Sequence, residues 1–159
     1  MIRLGVLYAI LFALTSTTSV AQESFDEKYG RMISDGAAQE ALRLALTKIH
    51  TATCEFSKPC ASTSASEFTA PPITIVDSRA AMVFAIKSAL AQWCGLDWKR
   101  SFLPMIAFGK YKMKMNDRQL QLMTLIHGDF QARQLMTYTK GGQCPATLRS
   151  QLDTQLPKL

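Results

Sequence analysis

Residues 78–93 constrain the fold more than any other stretch. Residues 80–86 are apolar without a break, and Ala89, Leu90, Ala91 and Trp93 continue the run. Only Arg79, Lys87, Ser88 and Gln92 leave a polar strip. A helix that is apolar over most of its circumference is covered from several sides at once, so it belongs inside a bundle. The pattern predicts an all-α fold, a small bundle of about four to five helices around this core helix. Asp77 is the expected N-cap, with Ser78 as the alternative. Gly95 is the expected stop.

The flanking segments supply the other helices. Phe25, Tyr29, Met32 and Ile33 have helical spacing in residues 22–36. Ser34 or Asp35 then caps a second helix to about Thr53, with Ala38, Ala41, Leu42, Ala45, Leu46 and Ile49 on one face. Asp97 starts a helix over residues 98–108, which Pro104 is expected to end or kink. Asn116 caps a long helix over residues 117–140, carrying Leu120, Met123, Phe130, Leu135 and Tyr138. Gly128 inside it marks a bend or a close helix contact. Gly141 and Gly142 end it, and Pro145 starts a last short helix. Residues 55–76 have the Ser/Thr/Ala/Pro composition of a long irregular loop. Ile73, Thr74, Ile75 and Val76 form its extended lead-in to the core helix.

The N-terminus predicts export. Met1-Ile2-Arg3 is a short positive start, residues 4–14 are apolar, and residues 15–21 are small and polar, ending Ser19-Val20-Ala21. This is the pattern of a signal peptide cleaved after Ala21. The apolar run falls well short of the roughly 20 residues needed to cross a bilayer. The expected mature chain is a secreted or periplasmic single domain over residues 22–159, with no transmembrane segment.

The cysteines agree with export. Cys54, Cys60, Cys94 and Cys144 form an even set, which in an exported chain predicts two disulfides. Of the three possible connectivities the favoured one pairs Cys54 with Cys60, closing a tight loop at Pro59, and Cys94 with Cys144, tying the end of the core helix to the segment after the long helix. Trp93, Trp98 and Phe102 are expected to pack around Cys94. No C-x-x-C, C-x-x-C-H or His pair supports metal or haem chemistry.

Charge narrows the partner class. The sequence holds 18 Lys+Arg and 12 Asp+Glu, a net +6, or +5 without Arg3. Such a balance favours an acidic protein or an anionic envelope component. The basic residues are dispersed and form no long stripe of the nucleic-acid-binding kind. The densest cations are Lys99, Arg100, Lys110, Lys112, Lys114 and Arg118, with Tyr111 among them. They are the candidate binding surface, and no acidic partner for the linker cations is evident nearby in sequence.

Chemistry-bearing residues are sparse. There is no nucleophile elbow, metalloprotease helix or phosphate loop. His50 lies at the end of the second helix, where a surface role is expected. His127 sits in a mostly apolar stretch, where a partly buried, hydrogen-bonded core histidine is expected, and it is also the candidate functional polar residue, with Asp129 two positions away on another face. The leading expectation is a non-catalytic exported binding protein without a cofactor, of inhibitor, immunity or chaperone-like role. A small hydrolase using His127 with a distant carboxylate is an alternative. Cu(I) handling by Met123 and His127, four apart on one face, is another.

Overall fold

The computed structural model describes residues 24–158. The expected signal peptide, residues 1–21, lies outside the described residues. Among the described residues the chain forms seven α-helices and no strand. They are α1 (Phe25–Met32), α2 (Asp35–Lys48), α3 (Ala65–Thr69), α4 (Ile75–Trp93), α5 (Lys99–Ala107), α6 (Asp117–Lys140) and α7 (Ala146–Gln155). One-turn 3-10 helices cover Ile49–Thr51 and Glu55–Ser57, and a π-helical turn covers Phe108–Lys112.

The apolar core helix is α4, and it organises the bundle as its composition requires. It packs on α1, α2, α5, α6 and α7, most extensively on α6. Ala81, Ala85 and Ala89 recur every fourth residue and are fully buried, so a neighbouring helix can approach closely along that stripe. Most of its polar side chains are tied to neighbouring elements, while Gln92 stays exposed. The Ser78 hydroxyl donates to the Ala38 carbonyl of α2 at 2.7 Å. The Arg79 guanidinium donates to the Ile33 carbonyl at 3.1 Å and pairs with Asp35.

The start of α4 differs from the expectation. Thr74, not Asp77, is the N-cap. Its hydroxyl accepts the Asp77 N–H at 3.1 Å, and the Asp77 carboxylate accepts the Thr74 N–H at 2.8 Å. This reciprocal box satisfies two backbone donors that the helix start would otherwise strand. Ile75 and Val76 are therefore first-turn residues, not an extended lead-in. Both are exposed, so their β-branched preference meets no packing demand that would pull them into a strand.

The other caps follow the sequence more closely. Ser34 caps α2 and Asn116 caps α6, each accepting a backbone N–H of the first turn. Gly95, with φ of 69°, turns the chain after α4. Gly128 is different. A Cβ there would meet nothing within 4 Å, so no close helix contact requires it.

Two disulfides staple the bundle, Cys54–Cys60 and Cys94–Cys144, with Cα separations of 4.9 and 5.0 Å. The connectivity is the one expected. The neighbouring aromatics divide differently. Trp93 stacks on Tyr138 with ring centroids 5.6 Å apart and donates to the Gly142 carbonyl at 2.9 Å, beside Cys144. Trp98 and Phe102 turn instead toward His127.

The segment between α2 and α4 is irregular but tied down. It contains α3, capped by a reciprocal Ser64–Glu67 box. The Gln119 amide donates to the Pro72 carbonyl at 2.7 Å, and the Thr63 hydroxyl bonds the Leu46 carbonyl. Cys60 and Ile73 are buried in the common core.

Candidate functional site

The candidate basic surface is built on α5 and the turn that follows it. The Asp97 carboxylate accepts the Lys99 N–H at 3.0 Å and so starts α5. Pro104 lies inside the helix and removes one backbone donor, yet α5 continues to Ala107. The chain then widens. Met113 N–H reaches the Phe108 carbonyl at 3.1 Å, and Met115 N–H reaches the Gly109 carbonyl at 3.0 Å. Lys114 closes the turn in the left-handed region, with φ of 58°.

Gly109 explains why the turn sits where it does. A Cβ at that position would lie 2.9 Å from Leu120 Cδ2 and 3.2 Å from Met115 Sδ. The backbone therefore presses directly against α6 and the buried Met115. With the inner side occupied by Gly109 and Met115, Phe108, Lys110, Tyr111, Lys112, Met113 and Lys114 all face outward.

The six cations do not act as one group. Arg100 pairs with Asp153 and donates to the Pro157, Asp153 and Leu156 carbonyls at 2.8, 3.0 and 2.9 Å. It clamps the end of α7 onto α5. Arg118 makes a two-pronged contact with Glu67, at 2.7 and 2.9 Å, and donates to the Ala61 carbonyl at 2.6 Å. It pins α3 to α6, and the same guanidinium holds the Glu67 carboxyl below its ordinary value. Both arginines are thus structural, and the acidic partner that the sequence near Arg118 does not offer comes from α3. Their carboxylates lie 51 and 53 residues away in sequence, which no local pattern reveals.

The lysines remain. Lys99, Lys110, Lys112 and Lys114 are exposed, and none forms an ion pair with another described residue. Lys110 lies over the Tyr111 ring, 5.9 Å from its centroid. Lys99 stands at the far end of α5, about 16 Å along the helix axis from Lys110 at 1.5 Å per residue. The compact cluster is therefore Lys110, Lys112 and Lys114.

His127 is a core residue, 1% exposed. Its Nε2 lies 2.9 Å from the Ser88 hydroxyl on α4. Ser88 Oγ is 3.3 Å from the Trp98 carbonyl, and Ser101 donates to Phe84 at 3.1 Å. The Phe102 and Trp98 rings flank the imidazole, with centroids 4.9 and 6.3 Å away. Burial among these groups lowers its pKa to about 4, against a small opposing effect of the Phe84 carbonyl. The ring is neutral at physiological pH. Ser88, the partner that sequence reasoning missed, stands 39 residues away on the polar strip of α4.

Ser88 and His127 have the atoms of a nucleophile–base pair, but Ser88 too is fully buried. The other half of the expected polar site lies elsewhere. Asp129 bonds Lys48 at 3.1 Å and pairs with Arg133 on the surface. Partial burial would raise its pKa, but the Lys48 hydrogen bond and the Arg133 charge lower it overall. Met123 is buried on the same helix as His127. Among the described residues no three His, Cys, Asp or Glu side chains gather to hold a metal ion.

Asp129 instead belongs to a groove of about 220 Å³ between α2 and α6. Leu44, Met82, Leu125 and Phe130 line it, and Glu40, Lys48, Asp129 and Arg133 alternate in sign around its rim. Its charge is balanced, unlike that of the lysine turn. Comparison with protein-family models, curated proteins and solved structures finds no match to the chain.

Proposed function

We propose that this chain is an exported, non-catalytic binding protein that uses residues 108–114 to contact an acidic protein or an anionic envelope component. One observation carries this reading. Three lysines that form no ion pair among the described residues alternate with exposed Phe108, Tyr111 and Met113 on a turn held firmly from its inner side. A cation not neutralised by a neighbouring carboxylate keeps its attraction for an external anion. Two disulfides suit an oxidising compartment. The most polar part of the core, around Ser88 and His127, is enclosed by side chains and supports packing rather than turnover.

The test is recovery from an envelope extract with wild-type protein and the variant Lys110→Glu with Lys114→Glu, each at low and high salt. Both lysines are exposed, so the variant should keep its helical circular dichroism. Wild type should retain its partner at low salt and release it as the screening length falls below about 8 Å. The variant should recover little at either salt. Equal recovery in all four conditions would remove the lysine turn from consideration.

A further inference from the structure

Resting on that reading, we propose that the anionic partner is a lipid surface, on which the lysines of the turn meet headgroups while Phe108, Tyr111 and Met113 enter the interface between them. Four of the nine large apolar side chains exposed among the described residues lie in this one stretch. Leu103 is 45% exposed, Phe108 57%, Tyr111 64% and Met113 45%, all within eleven residues. No Asp or Glu occurs from Lys99 to Asn116. Leu103 and Lys99 are four apart on α5 and extend the same pairing of apolar and cationic groups along that helix.

The kind of cation distinguishes a lipid from a protein partner. Protein interfaces are enriched in Arg and depleted in Lys, because a planar guanidinium meets a fixed carboxylate in a defined geometry. In this region both arginines are turned inward as clamps on α7 and α3, and the outward cations are all lysines. A lysine is a point charge on a flexible stem, suited to a diffuse anionic layer that imposes no geometry. Large apolar side chains between such cations gain nothing from a purely polar polyanion. At a membrane surface they reach the acyl boundary roughly 5–10 Å below the headgroups while the lysine stems extend back to the phosphates. The inner packing of Gly109 against Leu120 and Met115 matters for this. It keeps the apolar side chains projecting instead of letting them fold back onto α6.

Only three or four large side chains take part, so attachment is peripheral and reversible. Each lysine close to an anionic leaflet is worth about five-fold in partitioning. Reversing Lys110 and Lys114 changes the charge by four and therefore predicts a loss of roughly several hundred-fold at low salt.

The experiment is vesicle sedimentation with the full chain. Vesicles are phosphatidylcholine alone or phosphatidylcholine with phosphatidylglycerol. Wild type should bind the anionic vesicles at least ten-fold better than the neutral ones. Lys110→Glu with Lys114→Glu should abolish the difference. Phe108→Ser with Tyr111→Ser should weaken binding to anionic vesicles about ten-fold while leaving its salt dependence unchanged. Circular dichroism of each variant reports that the fold is kept. Absence of wild-type binding to anionic vesicles at low salt overturns the lipid assignment. If envelope recovery still depends on the lysines in that case, the acidic partner is a protein or polymer and the broader reading stands. Vesicle binding that ignores both the lysine reversal and lipid charge overturns the lipid assignment and the use of this turn together. Binding that needs the lysines but not Phe108 and Tyr111 overturns insertion.

Discussion

Lowering the pH from 7 to 5 should destabilise the fold by about 2 kcal/mol through His127 alone, since its folded pKa lies near 4. An unfolded histidine takes up its proton near pH 6.5. In the folded chain the imidazole is enclosed by Ser88, Phe84, Trp98 and Phe102, none of which carries a charge to stabilise the imidazolium. Between about pH 6.5 and 4 the unfolded chain therefore binds a proton that the folded chain refuses. Stability falls as pH falls through that window, by about 1.36 kcal/mol per pH unit where the slope is full. Below pH 4 the loss levels off at about 3 kcal/mol.

The carboxylates act in a lower range. Glu40, Glu67, Asp129 and Asp153 are held below their ordinary values by arginine or lysine partners, so their contributions disappear only once the pH drops below about 4.5. Urea titrations followed by tryptophan fluorescence at pH 7, 6 and 5 therefore isolate the histidine. His127→Gln should lower stability at pH 7 but flatten the slope between pH 7 and 5. A wild-type stability that is level across that range, or an unchanged slope in the variant, would refute the account of a buried neutral imidazole.

The two disulfides should differ in weight. In the chain-entropy account, the 50-residue separation of Cys94–Cys144 implies about 4 kcal/mol and the six-residue separation of Cys54–Cys60 about 2 kcal/mol. Thermal melts of the two double-serine variants should rank in that order, and the reverse ranking would show that loop closure is not the governing term. Gly128→Ala should raise stability by roughly 0.5–1 kcal/mol, because the position is open and lies within α6. Denaturant midpoints check this, and a loss of stability would mean that the glycine backbone serves a contact not evident in the fold.

What the sequence made legible was mostly local or compositional. The all-round apolarity of residues 80–86 identified the central helix because few other environments can cover such a surface. Cysteine parity and spacing led to the correct pairing. Asn116 and Ser34 were readable as caps because each precedes a clear helical pattern. Thr74 was missed because Ile75 and Val76 look like a strand in isolation, and the capping box from Thr74 to Asp77 outweighs that preference only once the helix has a bundle to join. The order in residues 55–74 was missed for a similar reason. Its anchors are Arg118, Gln119 and the Leu46 carbonyl, all supplied by other helices.

The charged residues show most clearly how folding sorts groups that look alike in sequence. In sequence, Arg100 and Arg118 look equivalent to the lysines around them, and all six cations form one basic region. Folding separates them by chemistry. Each arginine has several fixed donors and is drawn to places where a carboxylate and backbone carbonyls converge, at the end of α7 and the start of α3. The lysines, with one compact charge on a long stem, gain little from such sites and stay hydrated outside. The bundle thereby consumes its geometrically demanding cations in holding itself together. What it leaves on the rim of α5 is a surface of undirected positive charge and projecting apolar groups. That residue of the folding process is the surface on which the lipid proposal rests, and it could be recognised only after the arginines had been assigned to their partners.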